Sequence, residues 1–171
     1  MQLVDRKSYR FIAPLLLLAI VTLTHVAFAG GLKVGEAFPD LAAQKLDGTL
    51  PADLKGKVVM IDFWASWCGP CRQSFPAMNE LQEKYGAQGL VIIAVNVDED
   101  KADMDQFLKT HPASFTIVRD ARQQLVDKVS IKTMPSSFIL NREGKVVATH
   151  SGFDGDATKK AYEKEIAALL K

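Results

Sequence analysis

Apolar runs alternate along the chain with segments whose apolar residues recur at helical spacing. The runs at 58–64 and 90–97 are apolar on both sides of the strand alternation, which is typical of strands buried on both faces. After Cys71, apolar residues three and four positions apart predict a helix, with Pro76 as a kink and Gly86 near its end. The further predicted elements are a helix at 101–110, a strand at 115–118, a short helix at 123–129, a hairpin of strands at 137–140 and 146–149, and a closing helix at 156–170.

The order of these elements predicts the fold class. Strands that alternate with helices, followed by a late hairpin, indicate an α/β domain with a central mixed sheet flanked by helices on both faces. Upstream of them, an Asp-Gly pair at 47–48 favours a tight turn, so residues 34–49 are expected to form a short N-terminal β-hairpin before Leu54. The sequence has no internal repeat and no sign of a second domain.

The start of the chain has the pattern of an export signal. Basic residues that include Arg6 and Lys7 precede an uncharged, leucine-rich run at 11–28 that ends in small residues. We therefore predict a signal peptide at 1–29, cleaved before a single domain at 30–171. An uncleaved N-terminal membrane anchor is the alternative, because the apolar run approaches the roughly 20 residues of a membrane-spanning helix. Either form places the domain in the periplasm or another exported, oxidising compartment.

Composition and charge exclude several classes of function. The chain has 171 residues with 21 Lys and Arg against 20 Asp and Glu, a length that suits one compact domain. The near balance of charge, with no clustered basic block, argues against nucleic acid as a partner. Two cysteines are too few for a disulfide-dense scaffold, so the composition leaves a globular domain with one pair of thiols.

The two cysteines stand three positions apart in a Cys-Gly-Pro-Cys motif at 68–71. At the start of a helix this spacing brings two sulfurs within disulfide range and leaves the first at the helix N-terminus, where the macrodipole favours a thiolate. Cys68 is therefore predicted to be the nucleophile and Cys71 the resolving thiol. A zinc site would need two further ligands, and His111 and His150 are not at suitable spacing, so no metal is expected. A purely structural disulfide is the other alternative, although so short a loop constrains the unfolded chain little.

A family resemblance rests on two separated segments. Residues 59–71 resemble the active-site strand and helix of thioredoxin, and Thr-Met-Pro at 133–135 resembles its cis-proline loop. The exported leader, the entry segment at 34–41 and an extra helix and strand at 101–118 are more similar to the TlpA/ResA group of exported thiol-disulfide oxidoreductases. The resemblance covers 34–170 and implies a thioredoxin fold with a helix–strand insertion.

The resemblance also implies roles for residues around the cysteines. Asp62 lies where thioredoxins keep a buried aspartate, which implies a carboxyl with a raised pKa that takes the proton from Cys71. An aspartate that caps the strand end or faces solvent is the alternative. Pro135 takes the place of the cis-proline beside the disulfide, with an ordinary edge-strand proline as the alternative. The substrate-contacting residues implied by the family pattern are Trp67, Gly69, Pro70, Met134 and Pro135.

The expected activity is dithiol–disulfide exchange, which needs no cofactor. The Gly-Pro pair between the cysteines matches thioredoxin and implies a protein-disulfide reductase. An exported reductant needs electrons from across the membrane, so we expect a membrane thiol donor of the DsbD/CcdA kind. Protein disulfides are the expected substrates, with apocytochrome c during cytochrome c maturation and copper-site proteins among them. Two alternatives stay open, a disulfide oxidase or isomerase and a copper-site thiol reductant or metallochaperone.

Overall fold

The computed structural model describes residues 31–171, which form five strands and four helices. The signal peptide or anchor expected at 1–29 lies outside the described residues and stays a prediction. Within residues 31–171, no helix combines the length and the apolar character needed to cross a membrane. The strands are β1 (Val58–Trp64), β2 (Leu90–Asn96), β3 (Thr116–Arg119), β4 (Ser136–Leu140) and β5 (Val146–Ser151), and the helices are α1 (Gly69–Tyr85), α2 (Lys101–Thr110), α3 (Gln124–Lys128) and α4 (Gly155–Leu170).

The five strands form one mixed sheet in the order β3-β2-β1-β4-β5. β1 and β3 lie parallel to β2, as expected for strands connected through a helix. β4 runs antiparallel to β1 and to β5, and the β4–β5 pair is the predicted late hairpin. The predicted mixed sheet flanked by helices is therefore confirmed, and α2 with β3 forms the predicted helix–strand insertion after β2.

β1 is buried along its whole length because side chains cover both of its faces. On one face, Trp64 packs on Phe75 of α1 with ring centroids 4.8 Å apart, and Phe107 of α2 joins the pair. On the other face, Phe63 packs edge-on against Phe138 of β4. Aromatic contacts of this kind bury large apolar areas, so β1 is held firmly on both sides.

The segment before β1 differs from the expected hairpin. Instead of pairing with each other, the two halves of this segment bridge to opposite sides of the sheet, Ala37 to Lys145 next to β5 and Asp47 to Arg119 of β3. Arg119 also donates to the Asp47 carboxylate at 2.8 Å. An isolated two-stranded hairpin is marginal in water, whereas the edge strands β3 and β5 offer unpaired backbone groups. A short 3₁₀ helix at Leu41–Ala43 lies between the two bridges.

Candidate active site

The two cysteines lie at the junction between β1 and α1, where they form a disulfide. Cys68 is the N-cap residue of α1, and its sulfur accepts a hydrogen bond from the Cys71 N–H at 3.2 Å. The Cα atoms of the two residues are 5.3 Å apart. Pro70 occupies the first turn of the helix, where its missing N–H costs nothing and its fixed φ suits the helix. The local sequence therefore favours a helix that begins immediately after Cys68.

The two sulfurs differ in their surroundings. Cys68 stands at the N-terminal end of α1, where free amides and the helix macrodipole favour a thiolate over a thiol. Cys71 lies one turn further into the helix and is fully buried. Cys68 is itself only 3% exposed, but it lies at the protein surface against a groove, whereas Cys71 does not line that groove.

A groove of about 460 Å³ borders Cys68. Its walls come from the Cys-Gly-Pro motif and from the loop that precedes β4, and Trp67 beside it is 69% exposed. The peptide bond between Met134 and Pro135 is cis, at the end of that loop. The lining residues that sequence analysis had singled out are Trp67, Cys68, Gly69, Pro70 and Met134, and Pro135 follows directly.

Asp62 lies inside the domain, in the middle of β1. Its side chain is fully buried, and Oδ1 accepts a hydrogen bond from the Ser137 hydroxyl at 2.6 Å. Burial raises the pKa of Asp62 to about 7, and the Ser137 hydrogen bond acts in the opposite direction. Within the described residues, Oδ2 has no hydrogen-bond partner. The carboxyl can thus exchange a proton near neutral pH.

Sequence analysis missed two residues near this carboxyl, one that hydrogen-bonds it and one that hydrogen-bonds the first. Ser137 is placed opposite Asp62 by the antiparallel pairing of β1 and β4, and it also bonds the hydroxyl of Tyr162 in α4. Tyr162 could have been recognised as inward-facing, because it stands four positions before the apolar Ile166 in the same helix. No local signal distinguishes Ser137 from a serine that merely fits a strand.

Asp98 is a further residue that sequence analysis missed. Its carboxylate accepts from the Ser66 N–H at 3.0 and 3.1 Å, from the Ser66 hydroxyl and from the Asn96 side chain. Ser66 belongs to the loop between β1 and Cys68, so Asp98 fixes the path of the chain into the cysteine motif. The signal for this role is the position of Asp98 just beyond the end of β2, because parallel strands bring their carboxyl ends to one edge of the sheet.

The two histidines of the domain make contacts away from the cysteine pair. His111 stacks on Phe107 with ring centroids 4.3 Å apart, and His150 pairs with Glu165 at 2.8 Å. Among residues 31–171, no three His, Cys, Asp or Glu side chains converge in a way that could hold a metal ion.

The fold and the cysteine site together define the class of protein. A mixed sheet whose central strand leads to a Cys-x-x-Cys pair at a helix N-terminus, beside a cis-proline loop, is characteristic of thioredoxin-fold dithiol proteins. The model of the Redoxin family matches residues 33–166, and the chain belongs to that family.

Individual relatives narrow the class further. The chain is 33% identical over 156 residues to the thiol-disulfide oxidoreductase ResA of Bacillus subtilis, covering 86% of this chain and 87% of the relative. It is 34% identical to ResA of Geobacillus thermodenitrificans, covering 77% and 80%. A solved structure of a candidate thiol:disulfide interchange protein DsbE from Chlorobium tepidum is 44% identical with a TM-score of 0.76, covering 82% of this chain and 100% of that chain. The chain is thus a thiol-disulfide oxidoreductase of the ResA/DsbE type, with the thioredoxin fold that the sequence predicted.

The burial of Asp62 predicts a pH dependence of stability. Its pKa is about 7 in the folded protein, against 3.8 for an aspartate exposed to water, so between these pH values the unfolded chain has released a proton that the folded protein keeps. Folding stability should therefore fall as the pH rises from about 4 to 7 and level off above that. Asp62→Asn should remove this contribution, which amounts to roughly 4 kcal/mol at most by the free energy of one pKa unit.

Urea unfolding of the oxidised protein from pH 4 to pH 8 measures the effect. As the pH rises across that window, the unfolding free energy of the natural chain should fall relative to that of Asp62→Asn. Glu143→Gln, at an exposed carboxyl, controls for the loss of a negative charge. Parallel pH curves for the natural chain and Asp62→Asn would contradict the buried titration.

Proposed function

We propose that this oxidoreductase reduces disulfides of exported proteins by dithiol–disulfide exchange. The observation that carries the proposal is the asymmetry of the cysteine pair, because Cys68 is at the helix N-terminus and lines a groove, whereas Cys71 lies one turn further in, is fully buried and does not line it. A structural disulfide gains nothing from such a groove. A reactive cysteine pair needs such a groove, because the substrate disulfide must reach the Cys68 sulfur that attacks it, with the three sulfurs in line.

The reaction takes place in two exchange steps. The Cys68 thiolate attacks one sulfur of the substrate disulfide, so that a mixed disulfide forms and the other substrate sulfur leaves as a thiolate. Cys71 then loses its proton and attacks the Cys68 sulfur, which releases the second substrate thiolate. Two electrons pass to the substrate, and the protein is left with the Cys68–Cys71 disulfide.

Asp62 is proposed as the base for the second step. Cys71 is buried and therefore favours its neutral thiol, so its attack requires a proton acceptor inside the protein. A carboxyl whose pKa is about 7 is ionised in part of the molecules at neutral pH and binds a proton strongly enough to take one from a thiol. The carboxyl later releases the proton to solvent.

The groove is proposed to hold an extended segment of the substrate around its cysteine. Trp67 offers an exposed aromatic surface on one side of Cys68, and the loop at Met134 and Pro135 forms the other. Gly69, next to Cys68, borders open space, since nothing lies within 4 Å of a Cβ placed at Gly69. Substrate chains of different sequence could use this site, because Lys132 is the one charged residue among the described residues that line the groove.

The proposed direction of electron flow and the proposed location are supported by sequence features. The Gly-Pro pair between the cysteines is that of thioredoxin, whose potential lies near the reducing end of the range at about −270 mV. With a leader at 1–29 the domain works outside the cytoplasm, where its electrons must come from a membrane thiol protein of the DsbD/CcdA kind. Apocytochrome c and copper-site proteins are substrates of suitable chemistry, because each must keep cysteines reduced until a metal or haem group binds.

The cysteine variants test the order of the two steps. Cys68→Ser should abolish disulfide reduction, because it removes the attacking sulfur. Cys71→Ser should accumulate mixed disulfides with substrate, because the resolving thiol is absent. Non-reducing electrophoresis with mass spectrometry of the trapped species measures both, and the variant with both substitutions is the control. Accumulation of mixed disulfides in Cys68→Ser, and not in Cys71→Ser, would make Cys71 the nucleophile and Cys68 the resolving thiol.

Asp62→Asn tests the proton acceptor. The variant should slow the resolution of a mixed disulfide by roughly 10² or more, the usual contribution of a positioned base, and leave the first attack by Cys68 nearly unchanged. Single-turnover mixing with a model disulfide separates the two steps. Equal slowing of both steps would assign Asp62 to the structure of the site rather than to proton transfer.

Equilibration of the 30–171 domain in glutathione buffers at neutral pH tests the direction. The pair should have a potential below about −230 mV, and membranes from the source cells should re-reduce the oxidised protein. A potential above about −180 mV would indicate an oxidase or isomerase. Failure of the membranes to re-reduce the protein would remove the membrane donor from the proposal.

A further inference from the structure

Three buried polar side chains form a continuous chain of hydrogen bonds inside the domain. The Ser137 hydroxyl lies 2.6 Å from Oδ1 of Asp62 and 2.7 Å from the Tyr162 hydroxyl. None of the three residues is more than 1% exposed. Buried polar groups reduce stability unless they are hydrogen-bonded, and apolar side chains of similar size would avoid this cost. The presence of these three hydrogen-bonded residues in the core therefore needs an explanation beyond packing.

The fold brings the three residues together from distant parts of the sequence. Antiparallel pairing of β1 with β4 sets Asp62 directly opposite Ser137, so their side chains lie on the same face of the sheet. α4 covers that face and supplies Tyr162. Trp64 lies on the same face, two positions after Asp62, and packs on Phe75 of α1. The hydrogen-bonded chain thus lies on the side of the sheet that the cysteine-bearing helix also covers.

The number of protons on each group fixes the direction of the hydrogen bonds. An ionised carboxylate only accepts, so the Ser137 hydroxyl must donate its single proton to Asp62. The Ser137 oxygen can then only accept, which makes the Tyr162 hydroxyl the donor in the second bond. The separation of 2.6 Å is in the range of charge-assisted O–H···O⁻ bonds.

We propose that Ser137 and Tyr162 are positioning residues for Asp62, with Tyr162 donating to Ser137 and Ser137 donating to Oδ1, so that Oδ2 is the oxygen that takes up and releases the catalytic proton. This inference rests on the proposed role of Asp62 in resolution. Oδ2 is buried and has no partner among the described residues, as expected for the oxygen that receives a proton. The hydrogen bond from Ser137 to Oδ1, with Ser137 itself accepting from Tyr162, stabilises the anion that must exist before the proton arrives.

The electrostatic effects on Asp62 agree with this geometry. Burial raises its pKa, and the hydrogen bond from Ser137 is the influence that lowers it. Without that bond, a smaller fraction of the carboxyl would be ionised at neutral pH, so fewer molecules could use it as a base. Burial and the charge of Asp62 raise the pKa of Tyr162, which keeps the tyrosine neutral and able to donate.

The other groups around these three hydrogen-bonded residues are apolar, form ion pairs or belong to the disulfide. β2 presents Ala94 opposite Asp62, and Cys71 of α1, the proposed proton donor, does not titrate in the disulfide form. The ring centroids of His150 and Tyr162 are 4.8 Å apart, and His150 pairs with Glu165. The charged side chains that link α1 with α4 at the surface form the ion pairs Lys84–Glu163 and Lys159–Glu80.

Titration of the Asp62 carboxyl by ¹³C NMR tests the proposal on the oxidised protein. The signal is identified by its loss in Asp62→Asn. Ser137→Ala should raise the midpoint by about one pH unit, a tenfold increase in proton affinity, because it removes a hydrogen bond to the charged form. Tyr162→Phe should shift the midpoint in the same direction by a smaller amount. In the Ser137→Ala background Tyr162→Phe should have no further effect, because its influence passes through the serine.

Matched controls come from the same elements or the same residue types. Ser136→Ala removes a hydroxyl one position away on β4, where it donates to the Thr133 carbonyl. Tyr85→Phe removes a buried tyrosine hydroxyl that bonds Glu163 instead. Neither variant should move the Asp62 midpoint. A shift in Ser136→Ala as large as that in Ser137→Ala would mean that loosening of β4, rather than the hydrogen bond, is responsible.

The pH profile of mixed-disulfide resolution separates this inference from the function on which it rests. In Ser137→Ala the inflection should move upward with the NMR midpoint, and resolution at pH 7 should slow several-fold. An unchanged midpoint in Ser137→Ala overturns the positioning role, even where Asp62→Asn still slows resolution. A shifted midpoint with an unchanged rate profile leaves the hydrogen-bonded chain in place and removes Asp62 as the proton acceptor. An additional shift from Tyr162→Phe in the Ser137→Ala background contradicts the serial arrangement.

Discussion

A single carboxyl group buried in the central strand constrains much of the surrounding structure. Asp62 has no contact with solvent, and its ionised form is tolerated only where a neighbour donates a hydrogen bond to it. Ser137 is the one donor that reaches it among residues 31–171. Keeping that donor in place requires the register of β1 on β4, since a slip of one residue would turn the serine to the opposite face of the sheet.

The strand that holds the carboxyl also determines where the disulfide lies. β1 is packed by aromatic rings on both faces, and its carboxyl end leads through three residues to Cys68. Asp98, at the end of the neighbouring parallel strand, binds the Ser66 amide within that short loop. The path from Asp62 to the helix N-terminus is therefore held at both ends, and the relative position of carboxyl and disulfide is a property of the sheet.

Local patterns were sufficient to predict most elements and the reactive pair. Buried strands and amphipathic helices leave a periodic trace over a few residues, and the spacing of Cys68 and Cys71 is itself a local feature. The prediction of an N-terminal hairpin was wrong because it, too, rested on a local pattern alone. An Asp-Gly pair at 47–48 is a local turn signal, whereas the preference of this segment for the edges of the sheet depends on strands far along the sequence.

The residues that surround the carboxyl could not be predicted in this way, because they meet through long-range register. Ser137 lies 75 positions from Asp62, and Tyr162 a further 25 positions on. Helical periodicity can indicate that Tyr162 faces inward, but not that its hydroxyl meets a serine. The reactive part of the site is thus encoded locally and the groups that adjust its proton affinity are encoded remotely. Chains with the same cysteine motif can therefore differ in how readily the buried carboxyl ionises, through substitutions that leave the motif and its strand unchanged.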